Sequence, residues 1–109
     1  MLHVLIEAAR EAVADLLFVY GSLRRDGEEH NQMRGSKFLG SVKTARGWKR
    51  VRIGDFDGLR DGGDGQVAGE LYRVDQTKLA ALDDWEYDLY HRVKIPLEDG
   101  RDAFAYVLR

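Results

Sequence analysis

A chain of 109 residues with 44% apolar and 33% charged residues is sufficient for one globular domain with a single core, and this composition is not typical of a disordered protein. It contains no cysteine, which excludes disulfides, a thiolate nucleophile and a cysteine-ligated metal. The formal net charge of −2 argues against a general nucleic-acid-binding protein. No apolar run is long enough to span a membrane and no signal-peptide pattern begins the chain, so we expect a cytoplasmic protein without a membrane partner.

The first predicted element is a helix over residues 2 to 14. Its apolar residues recur at helical spacing, while Glu7, Arg10 and Glu11 lie elsewhere on the circumference. These mixed charges differ from the Lys-rich face of a helix that lies on a membrane. We therefore expect residues 1 to 15 to be an N-terminal helical extension, which is either a docking helix or the product of an upstream start.

Residues 16 to 20 form an unbroken apolar and aromatic run, which predicts a strand buried on both faces. The run ends at Gly21-Ser22. Because glycine has no Cβ, Gly21 permits a tight turn and lets a ligand approach the main chain closely. Backbone N–H groups at such a turn suit an anionic or carbonyl oxygen, although a turn without any ligand would show the same pattern.

A polar segment and a group of short strands follow this turn. In the polar segment, Arg24 and Asn31 are candidate ligand contacts, but solvated loop residues would have the same character. Residues 37 to 53 predict short strands on which basic residues surround Trp48. Such a cluster can bind single-stranded nucleic acid, whereas the negative net charge favours a solvated strand face.

Residues 55 to 66 carry four aspartates and four glycines. The spacing does not match an EF-hand, which needs glycine at the sixth and glutamate at the twelfth position. No Lys-Ser or Lys-Thr follows the glycines, so the segment is not a P-loop. We expect a mobile loop between strands.

The next two elements are a strand and a short helix. Residues 67 to 74 alternate as a strand does. Asp75 is suited to the N-cap of a helix that continues through residue 86, on which Leu79 and Leu82 share one face. Glu86 then lies at the helix end, beside residues that face the core.

The chain closes with a predicted hairpin. Residues 91 to 97 alternate again, Asp99-Gly100 is a hairpin turn signal, and residues 104 to 108 complete the last strand. About six strands and two or three short helices predict an α+β fold with largely antiparallel pairing.

Four short motifs, in this order, resemble the γ-glutamylcyclotransferase-like superfamily, and in particular its small AIG2-like branch. They are Tyr20-Gly21-Ser22-Leu23-Arg24, Phe38-Leu39-Gly40, Gly69-Glu70-Leu71-Tyr72, and Leu82-Asp83-Asp84-Trp85-Glu86 followed by Tyr90 and Arg92. The resemblance covers residues 16 to 109, which we expect to form one domain. Two departures stand out: Asp57 occupies the place of a proline common in the family, and Tyr87 that of a common glycine.

The resemblance implies a fold and a reaction. The fold is a small mixed β-barrel of about six strands with two or three short helices. In the reaction, Glu86 is the general acid and base that removes a proton from the α-amino group of a γ-glutamyl substrate. The nitrogen attacks its own side-chain carbonyl, and 5-oxoproline and a free amine or amino acid are released. Because ring closure is intramolecular, the enzyme mainly supplies orientation and proton transfer.

The resemblance also implies the remaining site residues. The glutamyl oxygens would be held at the turn of Tyr20, Gly21, Ser22 and Leu23. Tyr90 and Tyr106 would line the pocket with Arg92 as a neighbour, although strand residues packed across a barrel face are the ordinary alternative. We expect Asp83 to cap or brace the helix. The partner is a small-molecule γ-glutamyl compound, and neither a cofactor, a metal nor nucleic acid is expected.

Other interpretations of these residues remain open. Without the resemblance, Glu86 is a surface glutamate that ends a helix. The same fold could also be a non-catalytic module that binds a small amino-acid-like ligand, or a nucleic-acid-associated barrel that uses the basic residues between Lys43 and Arg52. Ser22 has no evident His–Asp partners for nucleophilic catalysis, and the three histidines show no metal-ligand spacing.

Overall fold

The computed structural model describes residues 15–86 and 88–109. The helix predicted over residues 2 to 14 and the side chain of Tyr87 lie outside the described residues. The described elements are seven strands, one α-helix and one turn of 3-10 helix. Their bounds are β1 Asp15–Val19, the 3-10 turn His30–Met33, β2 Lys37–Lys43, β3 Trp48–Ile53, β4 Phe56–Asp61, β5 Ala68–Val74, α1 Gln76–Glu86, β6 Tyr90–Pro96 and β7 Asp102–Leu108.

Five strands form one sheet in the order β2-β5-β1-β7-β6, and β3 pairs with β4 in a separate two-stranded ribbon. Only β1 and β7 run parallel, with Leu17 opposite Phe104, and the other pairs of these strands are antiparallel. The central strand β1 is buried on both faces, as its apolar run predicted. Its alternating side chains therefore enter two different cores.

Each face of the five-stranded sheet covers a hydrophobic core. One core contains Phe18 of β1 together with Leu59 of β4 and Ile95 of β6. The other contains Leu17 of β1 and the apolar side of α1, including Leu82. Removing a side chain as buried as that of Leu82 typically costs about 2–5 kcal/mol of stability, so α1 is firmly seated on the sheet.

The strands that the structure describes do not close into a barrel. The two outer strands β2 and β6 meet only at one end, where a single bridge joins Thr44 and Leu97. There the Ala45 N–H donates to the Pro96 carbonyl at 3.0 Å. The β3–β4 ribbon pairs with itself and not with either outer strand, so it cannot complete the circle. The α+β class and the largely antiparallel pairing are confirmed, whereas the barrel and a second α-helix are not found among the described residues.

The prediction of a mobile loop at residues 55 to 66 was wrong for the first half of this segment, which forms β4. The ribbon turns at Gly54, whose φ of +60° suits the first position of a two-residue hairpin turn. Asp57 accepts a hydrogen bond from Arg50 Nη2 across the ribbon at 2.8 Å, and Leu59 is fully buried. These cross-strand and core contacts outweigh the low strand propensity of aspartate and glycine.

The helix and the final hairpin follow their predicted signals. The backbone N–H of Lys78 donates to Asp75 Oδ1 at 2.7 Å, so Asp75 is the N-cap of α1. The hairpin between β6 and β7 turns at Gly100, whose φ is +89°. Within residues 15–86 and 88–109, no helix has the length and hydropathy needed to cross a lipid bilayer.

Candidate active site

A cavity of about 440 Å³ lies where the end of β1, the end of α1, and the starts of β4 and β6 converge. All seven site residues expected from the sequence line it. They are Tyr20, Gly21, Ser22, Leu23, Glu86, Tyr90 and Tyr106. The fold thus brings residues from three distant parts of the chain to one place.

Glu86 is the last residue of α1, and its half-buried side chain lines the cavity. Burial raises the pKa of this carboxyl group to about 7. No hydrogen bond or ion pair to the carboxylate is found among the described residues, so nothing there offsets the cost of removing its charge from water. A carboxyl group with this pKa exists in both protonation states near neutral pH, which suits it to accept and return a proton.

The turn after β1 directs its carbonyl groups into the protein. The Gly21 carbonyl accepts the backbone N–H of Arg24 at 3.1 Å, and the Ser22 carbonyl accepts that of Glu29 at 3.0 Å. Gly27 makes the second contact feasible, because a Cβ at this position would lie 2.1 Å from the Ser22 oxygen. In the described turns and loops, no backbone hydrogen bond uses the N–H of Gly21, Ser22 or Leu23 as donor. Because the three residues also line the cavity, their N–H groups are candidate donors to an anionic ligand.

The tyrosine rings line the cavity, but their hydroxyl groups bind the protein. Tyr20 donates to the Tyr106 carbonyl at 2.7 Å, Tyr106 donates to Asp83 Oδ1 at 2.8 Å, and Tyr90 donates to the Asp57 carbonyl. Burial is the main cause that raises the pKa of all three hydroxyls, and nearby carboxylates add to it. The tyrosines are thus neutral at physiological pH and offer ring surface to a ligand.

Asp83 fastens α1 to the sheet from outside the cavity. Its Oδ1 accepts the Tyr106 hydroxyl and lies 3.0 Å from Arg92 Nε. The Arg92 guanidinium also lies 4.5 Å from the centre of the Phe104 ring, and Arg92 does not line the cavity. The pair therefore braces the helix that carries Glu86, as expected for Asp83.

Two other residues that the sequence offered as candidate ligand contacts lie outside this cavity. Arg24 lines a neighbouring open groove instead of this cavity, and its Nε–H donates to the Gly21 carbonyl at 3.1 Å. Asn31 is exposed on the 3-10 turn. Within the described part of the chain, no three histidine or carboxylate side chains converge as a metal site would require.

Sequence reasoning missed the part of the cavity that β4 supplies. Phe56 and Asp57 line it, and the Asp57 carbonyl accepts the Tyr90 hydroxyl. A signal for this ribbon was present, because Gly54-Asp55 between two strand-length segments is a hairpin turn signal. The high aspartate and glycine content of the segment obscured it.

Glu86 and the turn at Gly21, Ser22 and Leu23 thus line one cavity. The comparisons with known proteins assign the chain that forms this cavity to a family. The family model "Gamma-glutamyl cyclotransferase, AIG2-like" matches residues 17–109, which include every residue that lines the cavity. The chain belongs to this family, and it is an enzyme of the γ-glutamylcyclotransferase type.

Relatives and solved structures agree with this assignment. A putative γ-glutamylcyclotransferase of Vibrio cholerae is 36% identical over 88 residues, which cover 81% of this chain and 70% of the relative. The γ-glutamylaminecyclotransferase A of Danio rerio is 31% identical over 127 aligned residues, covering 96% and 78%. A crystal structure of an AIG2-like protein from Mus musculus is similar with a TM-score of 0.76 and 28% identity, covering 86% of this chain and 76% of that one. A protein specific to uropathogenic E. coli has a TM-score of 0.81 and 26% identity, covering 88% and 80%.

Proposed function

We propose that this enzyme converts a γ-glutamyl amine or γ-glutamyl amino acid into 5-oxoproline and the free amine, with Glu86 as general acid and base. The proposal rests on one observation above all. The carboxyl group with a pKa of about 7 lines the same cavity as Gly21, Ser22 and Leu23, whose backbone N–H groups have no backbone hydrogen-bond partner in the described turns and loops. The first group can move a proton and the second can hold oxygen atoms that carry negative charge.

Proton transfer begins at the α-amino group of the substrate. The Glu86 carboxylate accepts a proton from this group, and the nitrogen lone pair attacks the side-chain carbonyl carbon, so that a carbon–nitrogen bond closes a five-membered ring. The original amide bond then breaks, and the protonated Glu86 gives its proton to the departing nitrogen. The carboxylate is restored, so one residue serves both steps. Because the attack is intramolecular, holding the chain in a bent conformation supplies much of the acceleration.

The turn after β1 supplies the recognition of the glutamyl part. Among the described residues that line the cavity there is no lysine or arginine. The α-carboxylate of the substrate and the oxyanion of the intermediate therefore depend on the backbone N–H groups of Gly21, Ser22 and Leu23. Backbone donors are fixed before the substrate arrives, so they need no reorganisation as negative charge develops.

The test is Glu86→Gln, which keeps the size of the side chain but cannot accept a proton. We expect kcat for release of 5-oxoproline from γ-glutamyl compounds to fall by about 10²- to 10⁴-fold, the usual effect of losing a positioned general base. KM should change little, because the turn that holds the glutamyl group is intact. The measurement is steady-state release of 5-oxoproline by chromatography.

The matched control is Glu28→Gln, which removes another carboxylate from the lining of the same cavity. It should retain most of the wild-type rate. Equal activity of Glu86→Gln and wild type would remove Glu86 as the base. If the wild-type protein bound γ-glutamyl compounds without releasing 5-oxoproline, the proposed reaction would be wrong and a role in ligand binding would replace it.

A further inference from the structure

The mouth of the cavity carries three large apolar side chains that the described protein leaves exposed. Phe56, Trp85 and Leu89 line the cavity, and they are 55%, 41% and 40% exposed. They come from the start of β4, the last turn of α1 and the connection between α1 and β6. We call these three residues the apolar rim. Exposed apolar side chains grouped at a cavity mouth are typical of a ligand-binding surface.

The charge of the lining restricts what this rim can hold. Besides Glu86, the lining contains five carboxylate side chains, and no described lysine or arginine accompanies them. These five are Glu28, Glu29, Asp55, Asp57 and Asp88. Arg50 neutralises Asp57 from the ribbon, but the others have no ion pair among the described residues. A ligand carboxylate at the rim would be repelled, whereas an uncharged or cationic group would not.

The proposed reaction indicates which part of the substrate meets the rim. Glu86 must return its proton to the nitrogen of the broken amide, so this nitrogen lies beside Glu86. Trp85 precedes Glu86 in α1, and Leu89 follows a short distance along the chain. Because the turn after β1 is proposed to hold the glutamyl part, the group attached to the departing nitrogen is left to contact the rest of the lining, which includes the rim.

We infer that the apolar rim binds the leaving group, and that the preferred substrate is a γ-glutamyl amine whose amine has an aromatic or branched aliphatic body and no carboxylate. This inference rests on the proposed function. It adds a preference within that function, namely an apolar amine over an amino acid and over a small amine.

Three compounds test the preference with the full chain. They are γ-glutamyl-phenethylamide, γ-glutamyl-phenylalanine, which adds a carboxylate to the same body, and γ-glutamyl-ethylamide, which lacks the body. Burial of an aromatic ring is favourable enough that kcat/KM for 5-oxoproline release should be about 10-fold or more higher on the phenethylamide than on the ethylamide. The phenylalanine compound should also be poorer than the phenethylamide.

Variants of the rim residues test whether the rim causes this substrate preference. Trp85→Ala and Phe56→Ala should each lower the phenethylamide-to-ethylamide ratio of kcat/KM by about 5-fold or more, mainly through KM, because ring contact is lost. The control is Ile53→Ala, since Ile53 is 50% exposed on the same ribbon and does not line the cavity. It should leave the ratio within about twofold of wild type. Unchanged melting temperatures would show that the variants fold.

The outcomes separate the two proposals. Release of 5-oxoproline at similar kcat/KM from all three compounds, or a preference for the phenylalanine compound, would overturn the inference and leave the proposed function standing. A ratio that Trp85→Ala and Phe56→Ala leave unchanged would also overturn it. If none of the compounds, and no other γ-glutamyl compound, released 5-oxoproline, the proposed function itself would fail.

Discussion

Asp83 and Glu86 lie on the same side of α1, three residues apart, in opposite surroundings. Asp83 accepts the Tyr106 hydroxyl at 2.8 Å and pairs with Arg92 at 3.0 Å. Glu86 has neither kind of partner among the described residues, and burial raises its pKa to about 7. The difference indicates that the available partners, more than helix position, decide whether a carboxylate on this helix is held by the fold or has a raised pKa.

Among the polar side chains near the cavity, Glu86 should have the largest effect on stability when its charge is removed, and this effect depends on pH. An unfolded glutamate titrates near about pH 4.3, whereas the folded carboxyl group titrates at about 7. Between these values the folded state binds more protons than the unfolded state, so the free energy of unfolding falls as pH rises through this window. Above about pH 7 the folded protein carries a charged carboxylate that is poorly hydrated.

Glu86→Gln should therefore stabilise the protein at pH 8 and have little effect at pH 4. The full pKa difference corresponds to more than about 3 kcal/mol, and screening by water at this half-exposed side chain reduces it to about 2 kcal/mol. Urea unfolding of wild type and variant at both pH values measures the difference. If the two proteins showed the same change with pH, the raised pKa of Glu86 would be wrong. Glu28→Gln is again the control, because its carboxylate is exposed.

Replacing Asp83 should have the next largest effect on stability, and it should destabilise the protein. Asp83→Ala removes the partner of Arg92 and the nearer acceptor of the Tyr106 hydroxyl, which also lies 3.3 Å from the Leu79 carbonyl oxygen. The variant should lower the free energy of unfolding by about 1–1.5 kcal/mol at neutral pH. For a domain of this size that is a fall of about 4–12 °C in melting temperature. Asp84→Ala is the matched control, because Asp84 is the exposed next residue of the same helix. It should change stability by less than about 0.5 kcal/mol.

Equal stability of Asp83→Ala and Asp84→Ala would show that the contacts of Asp83 do not stabilise the fold. A drop in kcat/KM for Asp83→Ala at a temperature where the variant is fully folded would show that the brace also positions Glu86. The same measurement on Asp84→Ala should give the wild-type value.

The sequence was sufficient for the local features of α1 and insufficient for its surroundings. The cap at Asp75 and the apolar face that includes Leu82 depend on neighbours within the helix, so they follow from spacing. The convergence of Glu86 and the turn at Gly21 depends on how β1 and α1 pack, which spacing does not encode. The similarity of short motifs to a known family supplied that step.

In β4 of the β3–β4 ribbon, contacts with distant residues decide the local structure. The aspartates and the glycine of β4 have poor strand propensity, and this strand is held against β3 by the pairing of Arg50 with Asp57 and by the burial of Leu59 beneath β7. Such contacts form only after distant parts of the chain meet, so tertiary structure overrides local preference. The apolar rim was missed for the same reason, since the exposure of Phe56 is a property of the folded molecule.

The smallest effect concerns Tyr90, whose ring lines the cavity while its hydroxyl donates to the Asp57 carbonyl. Tyr90→Phe keeps the ring and removes one hydrogen bond between β6 and β4. Since water can reach the freed carbonyl at a half-buried residue, the loss of stability should be about 0.5–1 kcal/mol. Because the hydroxyl faces the protein, kcat/KM should stay within about threefold of wild type, a change smaller than about 0.7 kcal/mol.

Tyr72→Phe provides the comparison away from the cavity, because the Tyr72 hydroxyl donates to Glu70 Oε1 at 3.2 Å and Tyr72 does not line the cavity. Both variants should lose similar stability and keep their activity. A fall in kcat of more than about tenfold for Tyr90→Phe alone, with stability like that of Tyr72→Phe, would mean that the Tyr90 hydroxyl turns to the substrate during the reaction. A hydrogen bond to the protein would then not be enough to identify the hydroxyl group of Tyr90 as purely structural.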